Sequence, residues 1–170
     1  MTERNRFFDE IARHIRRAQR ICDIGPGIRP QPFYRADYHL CIEPHEEYAN
    51  WLKDKGYPVL MGTACEWLPR IDPVDVVYML DVIEHMDKDE GAEALKLARS
   101  NSDQVVVFTP LGFHEQSYKA GEKDAWGMNG THWQTHRSGW TPDDFPGASI
   151  YVDPTFHGNY GAFFAIFNNG

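Results

Sequence analysis

The alternation of short apolar runs with segments of helical periodicity constrains the fold of this chain more than any other feature. Apolar residues recur at helical spacing over residues 7–18, 45–55 and 88–99. The runs predicted to be strands lie at residues 21–24, 38–42, 59–61, 74–80 and 104–109. Strands and helices that alternate in this way form βαβ units, in which the strands are parallel. The sequence therefore predicts an α/β fold with a doubly wound, mostly parallel sheet and helices on both of its faces.

The pattern changes after residue 110. Residues 111–140 are rich in Gly, His, Trp and polar residues and show little periodicity. A loop of this length in a compact domain is usually a lid or a binding loop, or else disordered. A short helix is expected at 141–144, and strands at 148–152 and 160–167 are predicted to form an antiparallel hairpin. The expected result is a single domain over residues 1–170 with seven strands.

Composition and charge narrow the classes of partner. With 170 residues, of which 42% are hydrophobic, the chain can bury a core of its own. No apolar run approaches the roughly 20 residues of a membrane-spanning helix, so no membrane contact is expected. The net charge of −8 disfavours binding to a phosphate backbone, which makes nucleic acid an unlikely partner. Three cysteines without a C-x-x-C pair and a polar N-terminus favour a reduced, cytoplasmic protein.

A glycine turn and an acidic residue mark the predicted carboxyl edge of the sheet, where ligands bind in such folds. Gly25 and Gly27 follow the first strand in the segment Asp23-Ile24-Gly25-Pro26-Gly27. Glycines allow close approach of a ligand, and a helix expected to follow would offer its N–H groups. The third glycine of a dinucleotide fingerprint is missing. Glu43 ends the second strand and could accept from both hydroxyls of a ribose, or could simply be an acid at a helix N-terminus.

Three segments together resemble the class I S-adenosylmethionine-dependent methyltransferase family. Residues 21–27 are similar to its first motif, and Glu43 occupies the position of its ribose-binding acid. The segment Leu80-Asp81-Val82-Ile83-Glu84-His85 resembles the D-V-I-E-H sequence of small-molecule methyltransferases. The resemblance extends over residues 7–167. It implies a Rossmann-like fold, S-adenosylmethionine (SAM) as cofactor, S-adenosylhomocysteine (SAH) as product and a small-molecule acceptor.

The resemblance also implies roles for individual residues. Those expected to bind the cofactor are Asp23, Gly25 and Gly27 at its methionine end, Glu43 at the ribose, Pro44, Ala64 and Cys65 at the adenine, and Leu80 and Asp81 near the sulfonium. Many relatives carry an aspartate after the third strand that accepts from the adenine amino group. This chain has none there, so Thr63, Glu66 or a backbone carbonyl would take that role.

Histidines are the candidates for the acceptor side. Either His85, beside the expected methyl group, or His136, in the loop over residues 111–140, could act as a base. Alternatively, His85 only packs against the loop that follows it, and His136 anchors the loop in which it lies. The loop also carries several tryptophans, which suit a small organic acceptor or a sugar. His132 and His136 are four residues apart, but the surrounding residues disfavour a helix and supply no carboxylate pattern. We therefore predict no metal site from this spacing.

Two other functions share part of the pattern. A nicotinamide-dependent oxidoreductase would share the glycine turn and Glu43, but it would be expected to have the third glycine and a separate substrate region. A non-catalytic protein with this fold could bind a nucleoside or stabilise a partner subunit. A second copy of the chain, or another protein, could also complete the acceptor pocket.

Overall fold

A computed structural model describes residues 3–169, whose strands form one seven-stranded sheet in the order β3-β2-β1-β4-β5-β7-β6. The strands are β1 (Arg20–Ile24), β2 (Tyr38–Glu43), β3 (Val59–Met61), β4 (Val74–Leu80), β5 (Ser102–Pro110), β6 (Ser149–Asp153) and β7 (Ala162–Asn168). The first five strands are parallel, and β7 is antiparallel to both of its neighbours. The predicted fold class, including the C-terminal hairpin, is therefore confirmed.

Helices cover both faces of the sheet. They are α1 (Glu3–Ile11), α2 (Glu46–Asp54), α3 (Ala64–Trp67), α4 (Lys88–Ser100) and α5 (Thr131–Gln134), with single 3-10 turns at Ala12–His14, Leu68–Arg70, Ile83–His85 and Pro142–Asp144. Val77 of β4 packs with Ala94 of α4 on one face. The neighbouring Val76 packs with Phe7 and Ile11 of α1 on the other. A strand that is buried on both sides reads as a continuous apolar run, which is why β4 was evident in the sequence.

The first helical segment begins at Glu3, before the expected 7–18, and ends earlier, with the 3-10 turn at His14. A side chain of the sheet takes the place of its next turn. The backbone is extended at Ile15. The amide of Gln104 donates to the carbonyl of His14 (3.1 Å) and its oxygen accepts from the N–H of Arg16 (2.8 Å). These two hydrogen bonds satisfy backbone groups that would otherwise have needed a longer helix. Arg16 also forms an ion pair with Asp103 (2.9 Å).

The helix expected after the glycine turn is absent, and this expectation was wrong. Residues 25–37, all of which the structure describes, connect β1 to β2 without a helix. Pro26, Pro30 and Pro32 lack an N–H, and each disfavours helical conformation in the residue before it. The connection is instead held by Gln31, whose N–H donates to the carboxylate of Asp23 (2.7 Å). Within residues 3–169, no helix is long and apolar enough to cross a bilayer.

We expect Gly91→Ala to destabilise the protein, although this substitution in a helix normally favours the helix by about 1 kcal/mol. A Cβ atom at Gly91 of α4 would lie 2.6 Å from the ring of Trp140, which is 2% exposed and has little room to move. Overpacking of this kind costs about 1–3 kcal/mol. Urea unfolding measures the effect, and Glu93→Ala on the exposed side of α4 is the control. A Gly91→Ala variant as stable as the wild type would show that the Trp140 contact is not restrictive.

Candidate active site

A cavity of about 1190 Å³ opens at the carboxyl ends of the parallel strands. Its wall includes Gly25 after β1, Glu43 at the end of β2 and Asp81 after β4. Residues of the segment 111–140 close the opposite side of the cavity, among them Trp126 and His136. The cavity therefore lies between the sheet edge and the long loop, at the place where strand order reverses on the two sides of β1.

The glycine turn is fixed by its backbone conformation and by two contacts. Gly25 and Gly27 have φ angles of +56° and +59°, which side chains other than glycine rarely adopt. A Cβ atom at Gly25 would lie 2.4 Å from Val82, and one at Gly27 would lie 2.5 Å from the ring of Trp126. Both positions thus require glycine, and at Gly27 the neighbour that fills the space belongs to the long loop.

Glu43 joins the glycine turn to the start of α2. Its side chain is 3% exposed and lines the cavity. One carboxylate oxygen accepts from the N–H of Gly27 (2.9 Å), and the other accepts from the N–H of His45 (3.0 Å). Burial raises the pKa of Glu43 to about 7, although both hydrogen bonds act in the opposite direction. Each oxygen keeps a further lone pair that can accept from a ligand.

Asp23 lies behind the cavity rather than in its wall. Its buried carboxylate accepts from the N–H of Gln31 (2.7 Å) and contacts Nε2 of His39 (3.1 Å). Burial raises the pKa of Asp23, while the contact with His39 lowers it. Asp23 therefore holds the β1–β2 connection in place from below.

The remaining predicted cofactor residues divide between the cavity wall and its surroundings. Among the described residues 3–169, six of them line the cavity: Gly25, Glu43, Pro44, Ala64, Leu80 and Asp81. The other three, Asp23, Gly27 and Cys65, are not part of its wall. Cys65 instead donates its S–H to the carbonyl of Glu90 (3.8 Å). Asp81 has a φ angle of +51°. Such left-handed backbone costs an aspartate roughly 1 kcal/mol or more and is concentrated at functional sites.

Thr63 and Glu66, the two side chains considered as partners of the adenine amino group, each accept a hydrogen bond from the backbone of the other residue. Glu66 accepts from the N–H of Thr63 (2.7 Å), and the Thr63 hydroxyl accepts from the N–H of Glu66 (3.3 Å). This capping box starts α3. Thr63 lines the cavity, and Glu66 is not among the described residues of its wall.

An aspartate that sequence reasoning missed organises the long loop. The carboxylate of Asp124 accepts from the backbone N–H groups of Trp126, Met128 and Gly130, at 2.9, 2.9 and 3.0 Å. It also accepts a short hydrogen bond from the hydroxyl of Tyr48 on α2. The loop is therefore folded around one side chain and attached to the helix that follows Glu43. The sequence carried no periodic signal for this arrangement.

Trp126 covers the glycine turn as a result of this anchoring. Its ring contacts Tyr48 edge-to-face (5.2 Å between centroids) and lies beneath the guanidinium of Arg29 (5.6 Å). The far end of the loop is held equally firmly, because Ser138 donates its hydroxyl to the carbonyl of Met86 (2.8 Å) and accepts from the indole of Trp140 (2.8 Å). The loop of residues 111–140 is thus attached at its middle through Asp124 and near its end through Ser138, and it lines the cavity.

The two candidate histidines meet in the cavity. The ring centroids of His85 and His136 are 4.9 Å apart. His85 Nδ1 donates to the carbonyl of Thr135 (3.2 Å), and His136 Nδ1 donates to that of His114 (2.7 Å). Burial lowers the pKa of both rings. Glu84, beside them, is 3% exposed and accepts from the hydroxyl of Thr109 (3.1 Å); burial raises its pKa to about 7.

Known proteins share the fold but not the sequence. No family model matches this chain, and no curated protein matches it. The N-terminal domain of EvdMO1, solved in the presence of SAH and D-fucose, superposes with a TM-score of 0.65 at 12% identity, over 99% of this chain and 83% of that one. Magnesium protoporphyrin IX methyltransferase (ChlM) from Synechocystis PCC 6803, with bound SAM, gives 0.62 at 13% identity, over 95% and 77%. The methyltransferase domain of bacterial CtHen1-C gives 0.62 at 15% identity, over 98% and 96%. The chain therefore has the class I SAM-dependent methyltransferase fold.

We expect the Glu43→Gln variant to gain stability relative to the wild type as the pH is raised from 5 to 8. The pKa of Glu43 is raised from 4.5 in the unfolded chain to about 7 in the folded one, so the folded state holds the proton more tightly within this window. Wild-type stability is thus lost as the pH rises from about 4.5 to about 7, by up to about 3 kcal/mol from this group, and levels off above that. Unfolding by urea at several pH values measures the difference. The exposed substitution Glu46→Gln is the control, and identical pH slopes for wild type and Glu43→Gln would contradict the buried charge.

We expect Tyr48→Phe to loosen the long loop without unfolding the domain. The substitution removes the hydroxyl that donates to Asp124, and a hydrogen bond to a charged group contributes about 1.5–3 kcal/mol. Tryptic cleavage after the exposed Lys119 and Lys123 should accelerate by roughly 10-fold or more, since 1.4 kcal/mol corresponds to a factor of ten. Tyr38→Phe, at an exposed tyrosine of β2, should leave the rate unchanged. Equal rates for both variants would mean that Tyr48 does not hold the loop.

Proposed function

We propose that this chain is a methyltransferase that transfers the methyl group of SAM to a small-molecule acceptor and leaves SAH. The observation that carries the proposal is the position of Glu43, a buried carboxylate at the carboxyl end of β2 that lines the cavity. An acid there can accept from the two hydroxyls of a ribose. The fold supports the proposal, because EvdMO1 and ChlM were solved with SAH and SAM respectively.

The cavity wall divides into parts that fit the parts of this cofactor. Glu43 would bind the ribose, while Pro44 and Ala64 would lie against the adenine. Gly25, without a side chain, would allow the methionine end to approach the backbone, with Leu80 and Asp81 on the other side. Asp23 and Gly27 would act indirectly, through the hydrogen bonds that hold the β1–β2 connection and Glu43. Cys65 would support α3 rather than touch the cofactor.

The chain's own task in such a reaction is to place the acceptor and, where the acceptor must lose a proton, to assist that loss. SAM supplies a methyl group on a sulfonium, which is already an activated donor. The protein then needs to align the acceptor for in-line attack. When the acceptor is a hydroxyl or amine, a proton must also leave. His85 and His136 line the cavity and are the candidates to assist this step.

The character of the acceptor follows from the far wall of the cavity. Trp133, Tyr160 and Arg137 line it, and this mixture of aromatic rings with one cation suits a small polar organic molecule. D-fucose accompanies EvdMO1 and a magnesium porphyrin is the substrate named for ChlM, so this fold accepts diverse acceptors. The net charge of −8 continues to disfavour nucleic acid. A cytoplasmic location and a partner that completes the pocket stay predictions.

Calorimetric titration with SAM, SAH and NAD tests the cofactor class. We expect micromolar affinity for SAM and SAH, none for NAD, and a loss of about 100-fold or more for SAH in Glu43→Ala, because two charge-assisted hydrogen bonds are removed. Glu46→Ala is the matched control. Since Glu43 also holds Gly27, a 2′,3′-dideoxyribose analogue of SAH separates the two effects: it should bind the wild type and Glu43→Ala with similar affinity.

The outcomes distinguish the candidate functions. Equal loss of the dideoxy analogue in Glu43→Ala would show that the variant distorts the turn and that Glu43 does not bind the ribose. Binding of NAD in preference to SAH would favour an oxidoreductase. Failure of both SAM and SAH to bind the wild type would overturn the proposal and leave a non-catalytic protein with this fold.

A further inference from the structure

Three side chains with metal-binding atoms converge in the cavity from two distant parts of the chain. Glu84 and His85 are consecutive in the helical turn Ile83–His85 that follows β4, and His136 lies in the long loop just after α5. One potential ligand atom from each lies within 4.8 Å of the others. His85 Nε2 is 3.9 Å from Glu84 Oε1. These residues lie in the cavity wall beyond Leu80 and Asp81, on the acceptor side of the proposed cofactor site.

Both histidines are held in the orientation and tautomer that a metal ligand needs. A backbone carbonyl can only accept a hydrogen bond, so the contacts with Thr135 (3.2 Å) and His114 (2.7 Å) require a proton on Nδ1 of His85 and of His136. In the neutral ring, the remaining Nε2 then carries a lone pair. Metal-bound histidines nearly always donate their other N–H in this way. The two Nδ1 hydrogen bonds are therefore of the kind that orients the rings of metal-bound histidines.

Glu84 is placed as the third, anionic ligand. Its carboxylate is buried, and one oxygen accepts from the Thr109 hydroxyl (3.1 Å), which leaves Oε1 directed toward His85. Ligating carboxylates are themselves commonly hydrogen-bonded. The backbone carbonyl of Glu84 also accepts from the N–H groups of Arg137 (2.8 Å) and Ser138 (3.2 Å). These bonds fasten the loop segment that carries His136 to the turn that carries the other two donors.

We infer that Glu84, His85 and His136 form a binding site for one divalent transition-metal ion, with its open coordination positions directed into the cavity. Two imidazoles and one carboxylate favour Mn²⁺, Fe²⁺, Co²⁺ or Zn²⁺ over Ca²⁺ or Mg²⁺. Ligand bonds of about 2.1 Å place the donors of one ion roughly 3 Å apart, so the three side chains need to approach by about 1–2 Å. Changes in side-chain torsions can supply this approach while the Nδ1 hydrogen bonds persist.

The ion's role rests on the proposed function. An acceptor hydroxyl bound at an open position would lose its proton to water more readily, because a bound divalent ion stabilises the resulting oxyanion. That oxygen would then form its bond to the methyl carbon while the electron pair of the sulfur–carbon bond returns to sulfur. His85 and His136, as ligands, would position the acceptor rather than serve as bases.

The cluster differs from the pair that chain spacing suggests. His132 and His136 are four residues apart, and the sequence predicts no metal site from them because no carboxylate pattern accompanies the pair. In the structure, the partner of His136 is His85, and Glu84 lies beside it. The contact between His132 and Arg137 (3.4 Å) lies apart from this cluster.

Titration of the metal-free full chain with Mn²⁺ and Co²⁺, in the absence of cofactor, tests the site. We expect one equivalent to bind, with visible Co²⁺ absorption and a Mn²⁺ electron paramagnetic resonance signal of the bound ion. His136→Ala and Glu84→Gln should each weaken binding by about 100-fold or more, since loss of mere outer-shell partners already costs about 10–100-fold. His132→Ala, a histidine of the same loop and cavity, is the control and should bind as the wild type does.

Two results would overturn the site: absence of stoichiometric binding by the wild type, or equal losses in His132→Ala and His136→Ala. Thermal unfolding of each metal-free variant shows whether the fold is retained. Because SAH titration is carried out separately, failure of metal binding with SAH affinity intact rejects the metal site alone. Metal binding without SAH affinity rejects the proposed function and retains the site.

Discussion

Backbone N–H groups that satisfy buried carboxylates hold the functional edge of this sheet together. Asp23 and Glu43 leave the ends of adjacent strands, and neither can be buried in ionised form without hydrogen-bond donors. The donors come from the β1–β2 connection, through Gln31 and Gly27. Asp124 repeats this principle in the long loop with three backbone donors. The conformation of the irregular segments around the cavity is thus set by hydrogen bonds from their backbone N–H groups to carboxylates, and not by regular hydrogen-bond ladders.

The sheet could be predicted from the sequence because its signals are local. Strands buried on both faces, such as Val74–Leu80, appear as uninterrupted apolar runs, and Gly56 and Gly62 mark the ends of neighbouring elements. The errors in the fold arose where a distant side chain intervened. Gln104 ended the first helix early, and the prolines after Gly25 produced a loop where a helix was expected. Neither outcome follows from periodicity.

The site was partly predictable for a similar reason. Glu43, Leu80 and Asp81 lie at strand ends, so strand assignment alone brings them to one edge. The assembly of Glu84 and His85 with His136 depends on the path of the long loop, and that path is set by Tyr48, Asp124 and Ser138. Hydrogen bonds between residues 52 or 76 positions apart leave no pattern in a single sequence. The contact of His136 with His85 was therefore beyond sequence analysis.

The proline-containing connection between β1 and β2 has a thermodynamic consequence for any ligand of the cavity. Each proline fixes its own φ angle, so this segment has few alternative conformations to lose. Gln31 and Phe33 are already tied within it, since the Gln31 side chain accepts from the Phe33 N–H (2.8 Å) and donates to the Tyr34 carbonyl (2.6 Å). A flexible glycine loop must be ordered when a ligand binds, and this cost lowers the affinity. A preorganised loop lowers the affinity much less. The conformational entropy of this connection is therefore lost when the chain folds, and not when a ligand binds.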